Sequence, residues 1–241
     1  MSKIRDSLYA VKEHVRRLWI YPVKSLKSTN YDEYWKDKRG VNFGNLSMWQ
    51  KMRADLALEV FARHEEPLSL LDYGCGDGSV LSYIKSKARL KTAIGADVSL
   101  DALAFAKNSG LETVKVVPGV YGLFSEYNPD YVIFFEVLEH VSDSEGLLLA
   151  GYEASQKGVV FSIPNTGYIF HRLRLLFGSF PLQWHVSPSE HLRFWTMRDL
   201  KWWLRALGFN QFKVRGYKGV PILNKLWPAL FAAGSFVVLH K

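Results

Sequence analysis

Hydrophobic and polar positions change rhythm along this chain. From residue 68 onward, short apolar runs alternate with longer stretches of helical periodicity. Residues 68–73, 92–97, 113–117, 131–135 and 158–163 read as buried strands, each bounded by turn-forming residues. Between and after them, residues 80–86, 101–108, 144–155 and 196–207 repeat apolar positions at helical spacing. Strands that alternate with helices make βαβ units and a parallel sheet. Pro164-Asn165 stops the fifth strand, and Gly208 closes the helix before it. Residues 212–217 and 236–240 supply two more strands, expected as an antiparallel pair at one sheet edge. The expected fold is α/β: a doubly wound, seven-stranded, mostly parallel, Rossmann-like sheet.

The first part of the chain follows another pattern. Ile4, Leu8, Val11, Val15 and Leu18 recur at helical spacing among Lys12, Arg16 and Arg17, which describes a basic amphipathic helix. A polar and aromatic stretch continues through Tyr31, Tyr34, Trp35 and Arg39, and a further helix is expected over residues 46–63. The organisation expected is an N-terminal helical extension over residues 1–64, then one domain over 65–241 with an insertion at about 166–195. The basic helix suits two roles. It could lie on a membrane surface, or pack as a lid in which Tyr34, Trp35 and Arg39 close the site.

Composition changes the picture only at a few points. In 241 residues, 48% are apolar and 22% charged, ordinary values for a globular protein. Cys75 is the only cysteine, so no internal disulfide is possible, which fits a reducing, cytoplasmic setting. The longest nearly apolar run, residues 227–239, is too short to span a bilayer, which takes about 20 residues. The net charge of +8 is uneven: residues 1–30 hold seven Lys/Arg against two Asp/Glu, and residues 165–220 nine against two. A basic surface favours anionic partners. The basic residues form no dense run and no RNA-binding module is appended, which argues against nucleic acid while leaving it open.

The strongest chemical signal is Leu70-Leu71-Asp72-Tyr73-Gly74-Cys75-Gly76-Asp77-Gly78, where a strand hands over to a helix. Ligands of open α/β sheets bind at the carboxyl ends of strands, and glycines there let backbone approach the ligand. Asp72 is positioned to meet the cationic amino group of a methionine-like moiety, directly or through water. Asp97 ends the second strand, 25 residues later, where a carboxylate can accept from two ribose hydroxyls. Together they describe a nucleoside site beside an amino-acid site. A dinucleotide fingerprint needs glycine or alanine at position 79, which is Ser79 here, and Asp77 would repel a pyrophosphate.

These stretches, with Asp130-Tyr131-Val132-Ile133-Phe134-Phe135-Glu136-Val137-Leu138-Glu139-His140, resemble the signatures of class I S-adenosylmethionine-dependent methyltransferases. The resemblance covers about residues 65–241, including Leu226-Trp227-Pro228-Ala229-Leu230-Phe231. Ser162-Ile163-Pro164-Asn165-Thr166-Gly167-Tyr168, followed by Arg172-Leu173-Arg174, is similar to MetW-type proteins, a branch linked to methionine biosynthesis. The resemblance implies S-adenosylmethionine as cofactor. Gly74, Gly76 and Gly78 would line its methionine portion, Asp97 would hold the ribose, and Val98 would lie beside the adenine. Phe135 and Glu136 would lie near the sulfonium. Val117-Pro118-Gly119-Val120 lacks the acidic residue that many members use for the adenine amino group, so adenine recognition would rest on backbone groups.

Methyl transfer from a sulfonium is an in-line displacement in which alignment can supply roughly 7–11 kcal/mol. A hydroxyl acceptor also wants a general base, and His140 is the first candidate. His185 and His191 stand second, Glu139 is expected as a solvated or capping carboxylate, and His14, His64 and His240 as surface residues. Glu139-His140 and Glu190-His191 are adjacent pairs without the spacing of a zinc helix, so no metal site is expected. The region after the fifth strand, with Tyr168, Arg172, His185 and His191, would shape the acceptor pocket. Its aromatics and arginines suit a small-molecule or glycan-type anionic acceptor. The alternatives are a MetW-like, cofactor-binding partner of an acyltransferase, and an RNA or protein methyltransferase.

Overall fold

The computed structural model describes residues 30–33, 35, 45–181 and 190–241. The expected basic helix, Tyr34, Arg39, His14 and His185 lie outside the described residues. Asn30, Tyr31, Asp32, Glu33 and Trp35 form a short helical piece. Its start is capped by Asn30, whose side-chain oxygen accepts from the Asp32 and Glu33 amides.

Helix α1 (Met48–Phe61) leads into strand β1 (Leu68–Tyr73). Then follow α2 (Ser79–Lys85), β2 (Leu90–Asp97), α3 (Leu100–Asn108), β3 (Glu112–Lys115), α4 (Gly122–Tyr127) and β4 (Tyr131–Phe135). A single 3-10 turn (Leu138–His140), α5 (Ser144–Ala154), β5 (Gly158–Pro164) and α6 (Ile169–Leu176) come next. The chain ends with α7 (Met197–Ala206), β6 (Phe212–Gly219), the one-turn helices α8 (Leu223–Leu226) and α9 (Pro228–Phe231), and β7 (Ala232–His240). Four of the nine described α-helices, α1 to α9, start at a side-chain cap. Ser47 and Gln50 form a reciprocal capping box on α1, and Ser99, Asp143 and Thr196 each accept an amide hydrogen in the first turn of α3, α5 and α7.

The sheet has the order β3-β2-β1-β4-β5-β7-β6. Strands β1 to β5 run parallel, and β7 is antiparallel to both β5 and β6. The doubly wound sheet expected from the sequence is present, with its antiparallel pair at one edge. Alternation along the strands divides the core between two faces. Tyr131, Ile133 and Phe135 face α1 with Leu70, Ala57 and Phe61. Val132 and Phe134 face the opposite layer with Leu71, Leu147, Leu200 and Trp203. Both faces of the central strands are covered, which is why these strands are apolar throughout.

The short helices α4, α8 and α9 have no counterpart in the sequence pattern, and two further features depart from it. Strand β7 begins at Ala232 rather than at residue 236, because Ala-Ala-Gly-Ser carries no β-branched signal yet pairs with β5 and β6. The expected insertion contains α6, whose aromatic and basic residues blur its period. The sheet order reverses between β1 and β4, and there the loops part to leave a crevice at the strands' carboxyl ends.

Candidate functional site

A cavity of ≈ 480 Å³ opens over that crevice. The loop after β1 forms one wall. Gly76 has a left-handed φ of 54° and gives its amide to Oδ2 of Asp97 at 2.8 Å. A Cβ at this position would collide with the indole of Trp35, which lies against the loop. Gly78 instead faces Leu111 and Ala106 beneath the loop and is not among the cavity residues. Cys75 is buried, and its sulfur fits only because Gly95 opposite it lacks a side chain.

Two carboxylates meet the cavity from this wall. Asp97, at the end of β2, is buried and accepts from the Gly76 amide and, through Oδ1, from the Ser99 amide at 2.9 Å. Each oxygen keeps a lone pair for a further donor. Burial raises its pKa, partly offset by these backbone hydrogen bonds. The Ser99 hydroxyl caps α3 and donates to Asp32 at 2.5 Å, tying the residue 30–35 segment to this wall. Asp72 is only 2% exposed, and no hydrogen bond to its carboxylate is made among the described residues. Burial pushes its pKa up to about 7, with Arg53 working in the opposite direction and Asp97 adding to the rise. A buried carboxylate of this kind is stabilised by a cationic ligand. Val98, Val116 and Pro118 give apolar walls farther along, where a flat base would fit. This donor set suits a nucleoside that carries an amino acid.

The opposite wall grows from the end of β4. Glu136 takes a φ of 56°, uncommon for a residue with a side chain and a pattern that clusters at functional sites. Its Oε1 accepts from the Ser162 hydroxyl and the Tyr217 phenol, both at 2.8 Å, with the Arg53 guanidinium 3.8 Å away. Burial works to raise its pKa, but Arg53 and the two hydrogen bonds outweigh it and hold the group below its ordinary value. Glu139 is no solvated carboxylate. It is 1% exposed, neither oxygen has a hydrogen-bond partner among the described residues, and burial together with Glu136 pushes its pKa well up.

His140 lines the cavity and is held through one ring nitrogen. Its Nδ1 lies 2.7 Å from the Glu190 carbonyl oxygen, which can only accept, so Nδ1 carries a hydrogen, and Nε2 is the nitrogen left for a further partner. That Nε2 is 3.8 Å from Oε1 of Glu139. The His191 ring stands edge-on to His140, with centroids 4.6 Å apart. Burial, with His140 adding to it, lowers the His191 pKa to about 4, so the ring is neutral near neutrality. Residues 190–193 are held here because the Leu192 and Arg193 amides both donate to the Glu139 carbonyl, at 2.8 and 3.1 Å.

The fold thus brings Asp72, Gly74, Gly76, Asp97, Val98, Phe135, Glu136, His140 and His191 to one cavity. Tyr168 and Arg172 are elsewhere. Tyr168 is buried against Phe170 and His171, and Arg172 donates through Nε to the Gly167 carbonyl at 2.7 Å. His64 is half-buried and bonded to the Tyr131 phenol at 3.0 Å, and His240 is half-buried as well. Sequence reasoning missed Arg53, Ser162 and Tyr217. For Arg53 a signal existed: it shares the apolar stripe of α1 with Ala57 and Val60, four and seven residues on.

Comparisons with known proteins agree with this geometry. A family profile described as a methyltransferase domain matches residues 48–214. A ubiquinone biosynthesis O-methyltransferase of Rickettsia canadensis (strain McKiel) is 31% identical over 120 residues, 48% of this chain and 50% of that protein. The protein of the same name from Rickettsia felis (strain ATCC VR-1525 / URRWXCal2) is 27% identical over 184 residues, 69% of this chain and 75% of that one. The chain therefore spans about half the length of the first relative and three quarters of the second. Among solved structures, a SAM dependent methyltransferase from Archaeoglobus fulgidus superposes with a TM-score of 0.58 at 18% identity, over 87% of this chain and all of that one.

Proposed function

The chain belongs to the class I S-adenosylmethionine-dependent methyltransferases, and from that premise we propose that it methylates a hydroxyl oxygen of a small, anionic acceptor. One observation carries the reading. The same cavity holds the carboxylates suited to the cofactor, Asp72 and Asp97, and a cluster of proton-accepting groups, Glu139, His140 and His191.

The bound cofactor supplies an electrophilic methyl group on a sulfonium. Asp97 holds the ribose hydroxyls, and Asp72 takes the amino group of the methionine portion. The acceptor oxygen forms its bond to the methyl carbon as the carbon–sulfur bond breaks, and that electron pair stays on sulfur. The hydroxyl proton leaves through the Glu139, His140 and His191 cluster. An amine acceptor would not need such a cluster. The uncompensated positive charge of the chain supports an anionic acceptor, and the names of the two curated relatives support oxygen as the atom methylated.

The test is a screen with cofactor labelled in its methyl group, run against fractionated metabolites that include phenolic acids and sugar acids. Label is expected in a methyl ether; label in a methyl ester would move the acceptor to a carboxylate and remove the need for the proton-accepting cluster. Tight cofactor binding without turnover on any fraction would overturn the reading in favour of a cofactor-binding partner subunit, and label in RNA or protein would move the acceptor class.

A further inference from the structure

Three residues from two parts of the chain bring metal-ligating atoms within 4.8 Å of one another: Glu139, His140 and His191. Sequence separation hid the arrangement, because each adjacent Glu-His pair alone has the wrong spacing. The fold takes both members of the first pair and only the histidine of the second.

Each residue is prepared for an ion in a different way. Glu139 is 1% exposed, and among the described residues neither of its oxygens has a partner, although a buried carboxylate ordinarily finds donors. His140 gives its Nδ1 hydrogen to the Glu190 carbonyl, the outer hydrogen bond that metal-binding histidines make, and this leaves Nε2 turned toward Glu139. His191 makes no hydrogen bond through its ring among the described residues. The 3.8 Å between His140 Nε2 and Glu139 Oε1 is too long for a hydrogen bond. Two atoms bound to one ion at about 2.0–2.2 Å each stand roughly 3–4 Å apart, so the gap matches a shared ion. Glu136, three residues earlier, is occupied by Ser162, Tyr217 and Arg53 and stands outside the set.

We propose that Glu139, His140 and His191 bind one divalent transition-metal ion on the acceptor side of the cavity. Two imidazoles and one carboxylate suit Mn²⁺, Fe²⁺, Co²⁺ or Zn²⁺ and leave coordination positions open. A bound ion would take over the cluster's part as proton acceptor: its Lewis acidity would make a coordinated hydroxyl easier to deprotonate, and the proton would pass to solvent because the three side chains ligate the ion. An acceptor with two neighbouring oxygens could occupy two open positions, which would select such acceptors over simple alcohols. Only this consequence rests on the hydroxyl-acceptor reading; binding of the ion does not.

The experiment titrates Mn²⁺ and, separately, Zn²⁺ into the full, metal-stripped chain by calorimetry, with Mn²⁺ also followed by electron paramagnetic resonance and by thermal shift. One ion per chain and a rise in melting temperature are expected. Glu139→Gln and His191→Ala should each weaken binding by more than the roughly 10–100-fold that loss of an outer hydrogen bond costs. Glu139→Gln keeps the size of the buried side chain and cannot ionise there, so it should fold at least as well as the parent, and its melting temperature should no longer respond to Mn²⁺. Absence of binding to the parent chain, or equal binding to both variants, would overturn the proposal. Metal binding without hydroxyl methylation would leave the ion site standing and remove the functional reading. Loss of metal binding in Glu139→Gln with methylation still at full rate would keep the ion site and remove both the ion and Glu139 from the reaction.

Discussion

The Tyr217 phenol reaches Oε1 of Glu136 at 2.8 Å although two strands, β5 and β7, lie between their own strands. It does so over Gly234, its register partner on β7. A Cβ at residue 234 would stand 2.5 Å from the Tyr217 ring, so the absent side chain is what lets the ring cross the sheet. Ser162 on β5 donates to the same oxygen. A residue in a strained conformation at the mouth of the site is therefore held from the far edge of the sheet.

Tyr217→Phe removes a donor to an ionised carboxylate. Such hydrogen bonds contribute about 1.5–3 kcal/mol, so the variant should unfold at lower urea by that amount. Gly234→Val displaces the whole ring and overpacks β7, and its loss should exceed that of Tyr217→Phe by about 1–3 kcal/mol. Urea curves with unchanged slope check both figures, and equal stability of Gly234→Val and the parent would contradict the crossing argument.

Cofactor affinity should depend on the ionisation of Asp72. Its folded pKa is raised to about 7 by burial, so below that pH the carboxyl is mostly neutral and attracts an ammonium poorly. Affinity should rise as pH goes from 5.5 through 7 and level about one pH unit above that value, with proton release on binding. Folding shows the opposite sign. The raised pKa adds stability that is complete below the ordinary aspartate value and is lost as pH climbs through about 7, so the unliganded protein should be more stable toward pH 5 than this group alone allows at pH 8. Calorimetry in buffers of different ionisation enthalpy reads the proton release, and Asp72→Asn should abolish it.

Asp97→Ala should cut cofactor affinity by about 100-fold, the equivalent of one or two hydrogen bonds to a charged group. It also leaves the Gly76 and Ser99 amides without their partner, so melting temperature must be followed in parallel. Equal affinity in a folded variant would end the ribose assignment.

Asn165 sets the stability of the junction after β5. Its amide nitrogen donates to the Ala232 and Ala229 carbonyls at 2.7 and 3.2 Å, and its oxygen accepts from the Gly167 and Met197 amides at 3.0 and 3.2 Å. The side chain is fully buried. Asn165→Ala strands these backbone groups at about 1–3 kcal/mol each where water cannot replace the partner, so a loss of about 3 kcal/mol or more is expected in chemical denaturation. The Pro164-Asn165 stretch that resembles MetW-type proteins thus has an architectural role, and activity per folded molecule should change less than stability.

Much of the molecule was legible in order along the chain. The five parallel strands and the helix of residues 196–207 with its closing Gly208 depend on contacts within one period of their own element, which sequence displays directly. The glycine loop and Asp97 were legible too, since a strand-to-helix turn with small residues and an acid one strand over have few other uses. The acceptor side was not. Tyr168 and Arg172 looked like pocket residues by composition, but burial and the Gly167 carbonyl claim them.

What the chain fixed by itself was periodicity, polarity and turn chemistry, enough to specify the doubly wound sheet and the cavity wall made by the glycine loop and Asp97. Tertiary structure alone decided which distant groups meet. Glu139 with His191, Arg53 with Glu136 and Tyr217 with Glu136 are juxtaposed by strand order, by one missing side chain at Gly234, and by two amides that clamp residues 192 and 193 to the Glu139 carbonyl. Local pattern encodes neighbours a turn or a pleat away. Contacts across fifty or more residues follow from how the layers pack, and a linear pattern carries no such distance.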